Sequence, residues 1–438
     1  MNITLTNVRG FEGTHEIAIR PITILLGENS SGKTTLLGAI SAALNPEFPA
    51  TDNLFNRAPF ELGSFDTIAT YRGGKYGRAT SFSLGWAVSH KVNQSSIYAT
   101  FKSHDGAPRL DNFIAKNGLH ELTGNTAGSE FNFQFSFYEK ERSRSGKTAT
   151  DKPIVIKFKT DLKRMKSFRI EDTIRIFFEG LRLNDSKNTL AKKDSHYAID
   201  ALHDLIINAA TSRPHATALA PLRTRPRRTY DELNEEFKPE GDHVPLVLAR
   251  LLSDKQRDSN IELDALMRYG KESGLFEKID VKRLGKQPSD PFQVRIKMKG
   301  PDANLIDVGY GVSQSLPIVI DSIMAPKNEI LLVQQPEVHL HPRAQAALGS
   351  FFVELAKTTS KYFIVETHSD YLVDRIRISI AEGEIAASQV QLLFLERKGL
   401  DVKVHELGLD DLGNITKAPS SYRDFFFNEE MKLMSRAS

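Results

Sequence analysis

Ile22-Thr23-Ile24-Leu25-Leu26 runs without interruption into Gly27-Glu28-Asn29-Ser30-Ser31-Gly32-Lys33-Thr34, and then into Thr35-Leu36-Leu37-Gly38-Ala39-Ile40. The compact apolar run predicts a strand buried on both faces. The next eight residues match the phosphate-loop pattern at every fixed position, and the last six read as a helix. Strand, loop and helix in this order have a physical purpose. Glycines let successive backbone N–H groups turn inward around phosphates, and the helix N-terminus adds partial positive charge. Lys33 is spaced to reach the β- and γ-phosphates, and the Thr34 hydroxyl to ligate Mg²⁺.

Upstream, Ile3 and Leu5 alternate with Asn2, Thr4 and Thr6, and a second alternation covers His15 to Arg20, so two short strands are expected. The whole chain has 438 residues, long enough for a full hydrophobic core, and a net charge of +3, too small to announce a nucleic-acid coat. It has no cysteine, which excludes disulfide frameworks, thiolate zinc sites, iron–sulfur clusters and cysteine nucleophiles. The amino terminus lacks a charged start followed by an apolar run, and no apolar stretch is long enough to cross a membrane. A cytoplasmic protein with no membrane partner is expected.

Three further segments, about three hundred residues on, complete the pattern. Ile330-Leu331-Leu332-Val333 reads as a buried strand and is followed by Gln334-Gln335-Pro336-Glu337-Val338-His339-Leu340-His341-Pro342. Before it, Ile306 to Ser315 reads as a glycine-rich turn, with Ser313 and Gln314 just ahead of a helix over Leu316 to Met324. After it, Tyr362-Phe363-Ile364-Val365 reads as one more buried strand, ending in Glu366-Thr367-His368-Ser369-Asp370.

With these segments the sequence resembles the ATP-binding-cassette-type ATPases of the SMC and OLD group, and most closely the standalone or nuclease-paired ATPases of bacterial antiphage systems such as Septu. The phrases ITILLGENSSGKTT (22–35), DVGYGVSQSLPIVI (307–320), PEVHLHPRAQ (336–345) and ETHSDYLVDRIR (366–377) carry the resemblance. APLRTRPRRTY (220–230) and EGDHVPLVLARLL (240–252) resemble the family's middle region more loosely.

The resemblance implies an α/β fold, an ABC-type P-loop NTPase head with a mixed sheet, split by a helical and basic insertion. It implies that Gly27, Asn29, Ser30, Ser31, Gly32, Lys33, Thr34 and Thr35 hold ATP. Gly311, Ser313 and Gln314 would form a signature turn touching the γ-phosphate bound on another subunit, in a head-to-tail dimer or higher oligomer. His368 would be a switch histidine sensing that phosphate. Mg²⁺ would sit at Thr34 and Gln334. His339 and His341 have the H-x-H spacing of a metal pair, but no further ligand spacing supports zinc, and they are assigned to the turn after the Walker B strand.

The chain departs from the family where two acids are usual and Gln334 and Gln335 stand. Glutamine can hydrogen-bond a water, but it cannot accept a proton as a general base and is a weak ligand for a hard dication. Either Glu337 reaches the attacking water and supports slow turnover at Gln335, or persistent ATP occupancy is itself the signal.

The expected domains are 1–105, the first half of the head; 106–290, the insertion; and 291–438, the second half with signature, Walker B and switch histidine. Residues 138–170 carry eleven Lys/Arg against four Asp/Glu, so nucleic-acid binding there stands beside the plainer reading of a solvated face. Arg223, Arg225, Arg227 and Arg228, flanking Pro221 and Pro226, form a stiff loop facing nucleotide, nucleic acid or a neighbouring subunit. Helices are expected over Ser195 to Ala209 and Val244 to Leu252, a helix over Tyr371 to Ile380, and a strand over Val390 to Leu395. Phe425-Phe426-Phe427 reads as core, or as a docking patch if exposed.

About forty residues follow that strand, too few for a TOPRIM nuclease, so a nuclease would be encoded separately, HNH type first and TOPRIM type second. The leading reading is a slow ATPase regulating that nuclease in antiphage defence. A RecF-like DNA-repair ATPase and a nucleotide-gated scaffold without hydrolysis are the alternatives.

Overall fold

The alternation at the amino terminus produces β1 (Asn2–Val8) and β2 (Phe11–Ala18), with Ile3, Leu5, Val8, Phe11 and Ile17 turned to the interior. The computed structural model of the chain describes residues 1–49, 53–89, 94–128, 130–137, 154–161, 200–205, 207–208, 211–231, 236–253, 261–287 and 289–437. They divide into two compact units: Met1–Ala18, Thr35–His215 and Gly399–Asp401 in one, and Ile19–Thr34, Ala216–Lys398 and Val402–Ser438 in the other.

The first unit is built on an antiparallel sheet of eight strands in the order β11-β10-β9-β8-β7-β6-β1-β2. Its remaining strands are β6 (Ser81–Ser89), β7 (Gln94–His104), β8 (Ala107–Asn117), β9 (His120–Ala127), β10 (Glu130–Phe137) and β11 (Ile154–Asp161). The side-chain period of two places Phe82, Leu84 and Trp86 of β6 inside, and Phe82 stacks on Phe101 of β7 with ring centroids 5.3 Å apart. A short hairpin, β4 (Asn56–Arg57) with β5 (Phe60–Glu61), and the single turn α2 (Phe65–Ile68) add Phe55 and Phe65 to that cluster. The expected boundary at 105 falls in the β7–β8 turn, and the sheet continues across it into the expected insertion. Of the basic stretch 138–170, only β11 is among the described residues. The helix expected over Ser195 to Ala209 is described only in part, and that part is helical.

The second unit is layered around a seven-stranded sheet in the order β12-β16-β17-β3-β18-β19-β20. These are β12 (Ala216–Leu219), β16 (Ile330–Gln334), β17 (Tyr362–Glu366), β3 (Ile22–Leu26), β18 (Val390–Lys398), β19 (Asp401–Leu409) and β20 (Ile415–Lys417). The first five pair in parallel and the last two antiparallel, giving the mixed sheet expected for the fold. All five residues of β3 and of β16 are buried, as their mainly apolar runs predict. Parallel pairing also collects the carboxyl ends of β12, β16, β17, β3 and β18 along one edge, where open α/β sheets bind ligands.

Helices α3 (Val244–Ser253), α4 (Ile261–Ser273), α5 (Tyr310–Met324), α6 (Pro342–Thr359) and α7 (Asp370–Ala381) contribute to the core of this unit. Phe352 of α6 packs on Phe363 of β17 with centroids 4.7 Å apart, and Phe351 meets Tyr269 of α4 at 5.6 Å. A small antiparallel sheet, β13 (Lys278–Arg283), β14 (Phe292–Lys297) and β15 (Ala303–Asn304), adds Val294 and Ile296. Helix α8 (Asp424–Ala437) carries the three phenylalanines, whose side chains lie outside the described set. Among the described residues no helix is long and apolar enough to cross a membrane.

Candidate nucleotide site

The phosphate loop leaves β3 at Gly27, whose φ of +139° no side chain adopts easily. A Cβ there would lie 2.3 Å from the Leu395 carbonyl oxygen on β18, so the loop can pass that strand only as glycine. Ser30 and Gly32 also have positive φ, +61° and +101°, and α1 (Lys33–Ala43) begins at once. The buried Ser31 hydroxyl has no partner among the described residues, a donor available to a phosphate oxygen. Asn29 and Ser30 are exposed at the tip.

Lys33 is 3 % exposed, and its Nζ donates to the carbonyls of Gly27 at 2.9 Å and Glu28 at 2.7 Å. Burial lowers its pKa, while Glu366, Glu337 and Glu28 pull it back up. The ammonium therefore stands in the curl of the loop, ringed by three carboxylates within electrostatic reach. Thr35, expected alongside it, has a different contact: Arg9 Nη1 donates to its hydroxyl at 3.1 Å. The division between the two units falls between Thr34 and Thr35.

The acid that bonds to the loop's Thr34 is Glu366, which the sequence motifs do not single out. Thr34 Oγ1 donates toward both of its carboxylate oxygens, at 3.1 and 3.0 Å. Glu366 ends β17, opposite Gln334 on one side and Leu25 on the other. It is 4 % exposed, and burial raises its pKa. The available signal was its place as the last residue of a buried apolar run, the same place that Gln334 holds on β16.

Gln334 is buried and its amide Nε2 lies 3.5 Å from the Leu219 carbonyl on β12. Gln335 has a φ of +41° and its backbone N–H donates to the Glu366 carbonyl at 2.8 Å. Glu337 is held at both oxygens: the His368 backbone N–H donates to one at 2.7 Å and the Thr367 hydroxyl to the other at 2.8 Å. This fixes the carboxylate and leaves lone pairs on it. His368 is exposed as a residue, but partial desolvation of its ring first, and Lys33 second, lower its pKa and hold it toward the neutral form. The fold thus gathers Lys33, Thr34, Gln334, Gln335, Glu337 and His368 at the carboxyl edge of one sheet.

Arg223 belongs to the same edge. It is 7 % exposed, its Nη2 donates to the Gln334 carbonyl at 3.0 Å, and Nε and Nη1 have no partner among the described residues. Burial lowers its pKa to about 10 against the attraction of Glu337. Arg228, by contrast, forms a two-point ion pair with Asp307 at 2.9 and 2.6 Å.

The turn expected at Gly311, Ser313 and Gln314 is helical instead, because α5 starts at Tyr310 with Gly309 as its N-cap, six residues before Leu316. Burial of Val312, Leu316 and Val319 along one helix outweighs the entropic cost of Gly311. Ser313 and Gln314 are buried, and the Ser313 hydroxyl donates to the Tyr310 carbonyl at 3.0 Å. Between Gly309 and Gln314, Gly309 and Tyr310 are the exposed residues. His339 is exposed at a φ of +64°, and His341 caps α6 by accepting the Arg343 N–H at 3.3 Å. No group of three or more potential metal-binding His, Cys, Asp or Glu occurs among the described residues.

Compared with known proteins, residues 1–373 match the profile of the family described as AAA ATPase domain. The chain belongs to that family. This AAA ATPase domain is therefore an ATPase of α/β P-loop class, and ATP is its nucleotide. Among solved structures it is similar to an SMC head bound to the C-winged helix domain of ScpA, with 11 % identity over 93 % of this chain and 97 % of that one, at a TM-score of 0.45. It is also similar to the SMC head domain from Thermotoga maritima, with 10 % identity, 93 % and 98 % coverage and a TM-score of 0.40. A third is the Smc head domain with an extended coiled coil bound to the C-terminal domain of ScpA derived from Pyrococcus furiosus, at 10 %, 100 % and 98 %, and 0.38. No curated protein matches the AAA ATPase domain described here.

Proposed function

We propose that the chain binds ATP with Mg²⁺ at Gly27 to Thr34, hydrolyses it slowly, and uses the bound state to regulate a separately encoded nuclease in antiphage defence. The observation that carries the slow rate is the end of β16, where Gln334 and Gln335 offer amides and the nearby carboxylate, Glu337, is tied to Thr367 and His368. An amide cannot take the proton of an attacking water. Glu337, fixed and still able to accept, is the group we assign to orient that water, with His368 beside the γ-phosphate.

Mg²⁺ suits the oxygen donors present, since it is held by one or two carboxylates and substrate phosphates while keeping several waters. The metal would supply charge neutralisation of the phosphates. Lys33, Ser31 and the loop amides would bind and orient them, and Arg223 would hold the end of β16 in place through the Gln334 carbonyl. Self-association with ATP between subunits, and a protein partner, follow from the motif resemblance. Gly309 and Tyr310, exposed at the start of α5, are available to such a contact.

Steady-state turnover of the purified chain tests the rate. We expect values well under one per second, and an ordinary enzyme rate of about 10 per second or more would overturn this reading. Gln335→Glu is expected to raise turnover. For the regulatory role, co-expression with the neighbouring gene, mass measurement of the complex and a nuclease assay with and without ATP give the decision. Cutting that does not respond to ATP would remove the nuclease from the proposal.

A further inference from the structure

We propose that Glu366 is the carboxylate that faces the Mg²⁺ of bound ATP, a duty moved from the end of β16 to the end of the adjacent strand. The inference rests on the reading of Gly27 to Thr34 as the ATP site and deepens it.

The strand order makes the relocation possible. β17 lies between β16 and β3, so Glu366 has Gln334 as its partner in register on one side and Leu25 on the other. It is therefore one strand nearer the phosphate loop than Gln334. A hard dication at a P-loop is held by the loop's Ser or Thr hydroxyl and by an acid at a strand end. Here the hydroxyl, Thr34 Oγ1, is already within 3.1 Å of both Glu366 oxygens, so hydroxyl and acid converge as such a cation needs. Gln334, the residue first expected there, has its Nε2 near the Leu219 carbonyl on the far side.

The energetics point the same way. A carboxylate that is 4 % exposed is costly to bury, and one hydroxyl supplies a single hydrogen to its two oxygens. Lys33 does not neutralise it by contact, since the Nζ hydrogen bonds go to Gly27 and Glu28. A divalent cation beside Thr34 offsets that cost, which a purely structural role for Glu366 leaves standing. The second carboxylate, Glu337, is held by His368 and Thr367 in a separate place, so the two acids have separate work.

The test is ATP affinity of the full-length chain in EDTA and in Mg²⁺, for wild type, Glu366→Gln, Glu366→Asp, the double variant Glu366→Gln/Gln334→Glu, and Lys33→Ala. Wild type should bind more tightly with Mg²⁺. In Glu366→Gln the Mg²⁺ enhancement, the ratio of its affinities with and without the metal, should fall about 10- to 100-fold. Glu366→Asp should lose less, and restoring an acid at 334 should recover part of the loss. Melting curves without nucleotide confirm that each variant is folded. A wild-type enhancement in Glu366→Gln, or equal weakening with and without Mg²⁺ in both Glu366 variants, overturns the assignment while leaving the ATP site intact. Failure of wild type to bind ATP better than Lys33→Ala overturns the ATP site itself, and the assignment with it.

Discussion

The Thr34 hydroxyl points into the carboxylate of Glu366, at 3.1 and 3.0 Å from its oxygens, across 332 positions of sequence. One hydrogen bond thereby joins the start of α1 to the end of β17. The ionisation of Glu366 is thereby tied to the phosphate loop as much as to the strand.

That relationship has a pH signature in the absence of nucleotide and metal. Burial raises the folded-state pKa of Glu366 above its ordinary 4.5. A group shifted this way contributes stability that is complete below the unfolded value and is lost as pH rises through the folded value. The melting temperature of wild type minus that of Glu366→Gln should therefore decline as pH rises from 4.5 into the range above it. A difference that is flat or rises over that range counts against the burial described here.

Lys33→Ala removes an ammonium whose neighbours are loop carbonyls and three acids. Hydrogen bonds to charged groups are worth about 1.5–3 kcal/mol, so ATP affinity should fall by at least about tenfold. Titration with a fluorescent ATP analogue reads the change directly.

Gly27→Ala should destabilise the second unit. The Cβ would meet the Leu395 carbonyl oxygen at 2.3 Å, and a non-glycine residue at this φ costs about 1–3 kcal/mol before the clash is counted. Chemical denaturation should show a lower midpoint, and a midpoint equal to wild type would mean that β18 yields at Leu395.

Glu337→Gln and Glu337→Ala separate chemistry from architecture. The glutamine can still accept the His368 N–H and should lower the single-turnover rate by about 10²–10⁴ with little change in melting temperature. The alanine leaves both the His368 N–H and the Thr367 hydroxyl without this acceptor and should also melt earlier. A glutamine variant hydrolysing at the wild-type rate would release Glu337 from any part in activating water.

What could be read from sequence was what is local. Gly27 to Thr34 announce themselves because backbone conformation, anion binding and helix start are all encoded within a few residues, and the buried runs of β3, β16 and β17 need no partner to be recognised. Glu366 escaped notice because its role depends on strand order, which places β17 between β16 and β3 although β3 lies over three hundred residues earlier. The start of α5 differs from the local expectation for the opposite reason. Gly309 and Gly311 have strong local preferences for a turn, and the burial of Val312 and Leu316 that overrides them is a property of the assembled core. The alternation of buried Phe131, Phe133 and Phe135 marks β10 as a strand, but its place in a meander with β8, β9 and β11 depends on pairings that no single segment encodes.

The match to the AAA ATPase domain ends at residue 373, yet β18, which closes the free side of β3, begins at Val390. A fragment cut at the family boundary would turn β3 into an edge strand with a row of unpaired backbone groups beside four apolar side chains, the kind of surface that recruits other chains. Recognisable ancestry and the smallest piece able to fold are thus different lengths in this protein, and expression fragments should be drawn past Lys398.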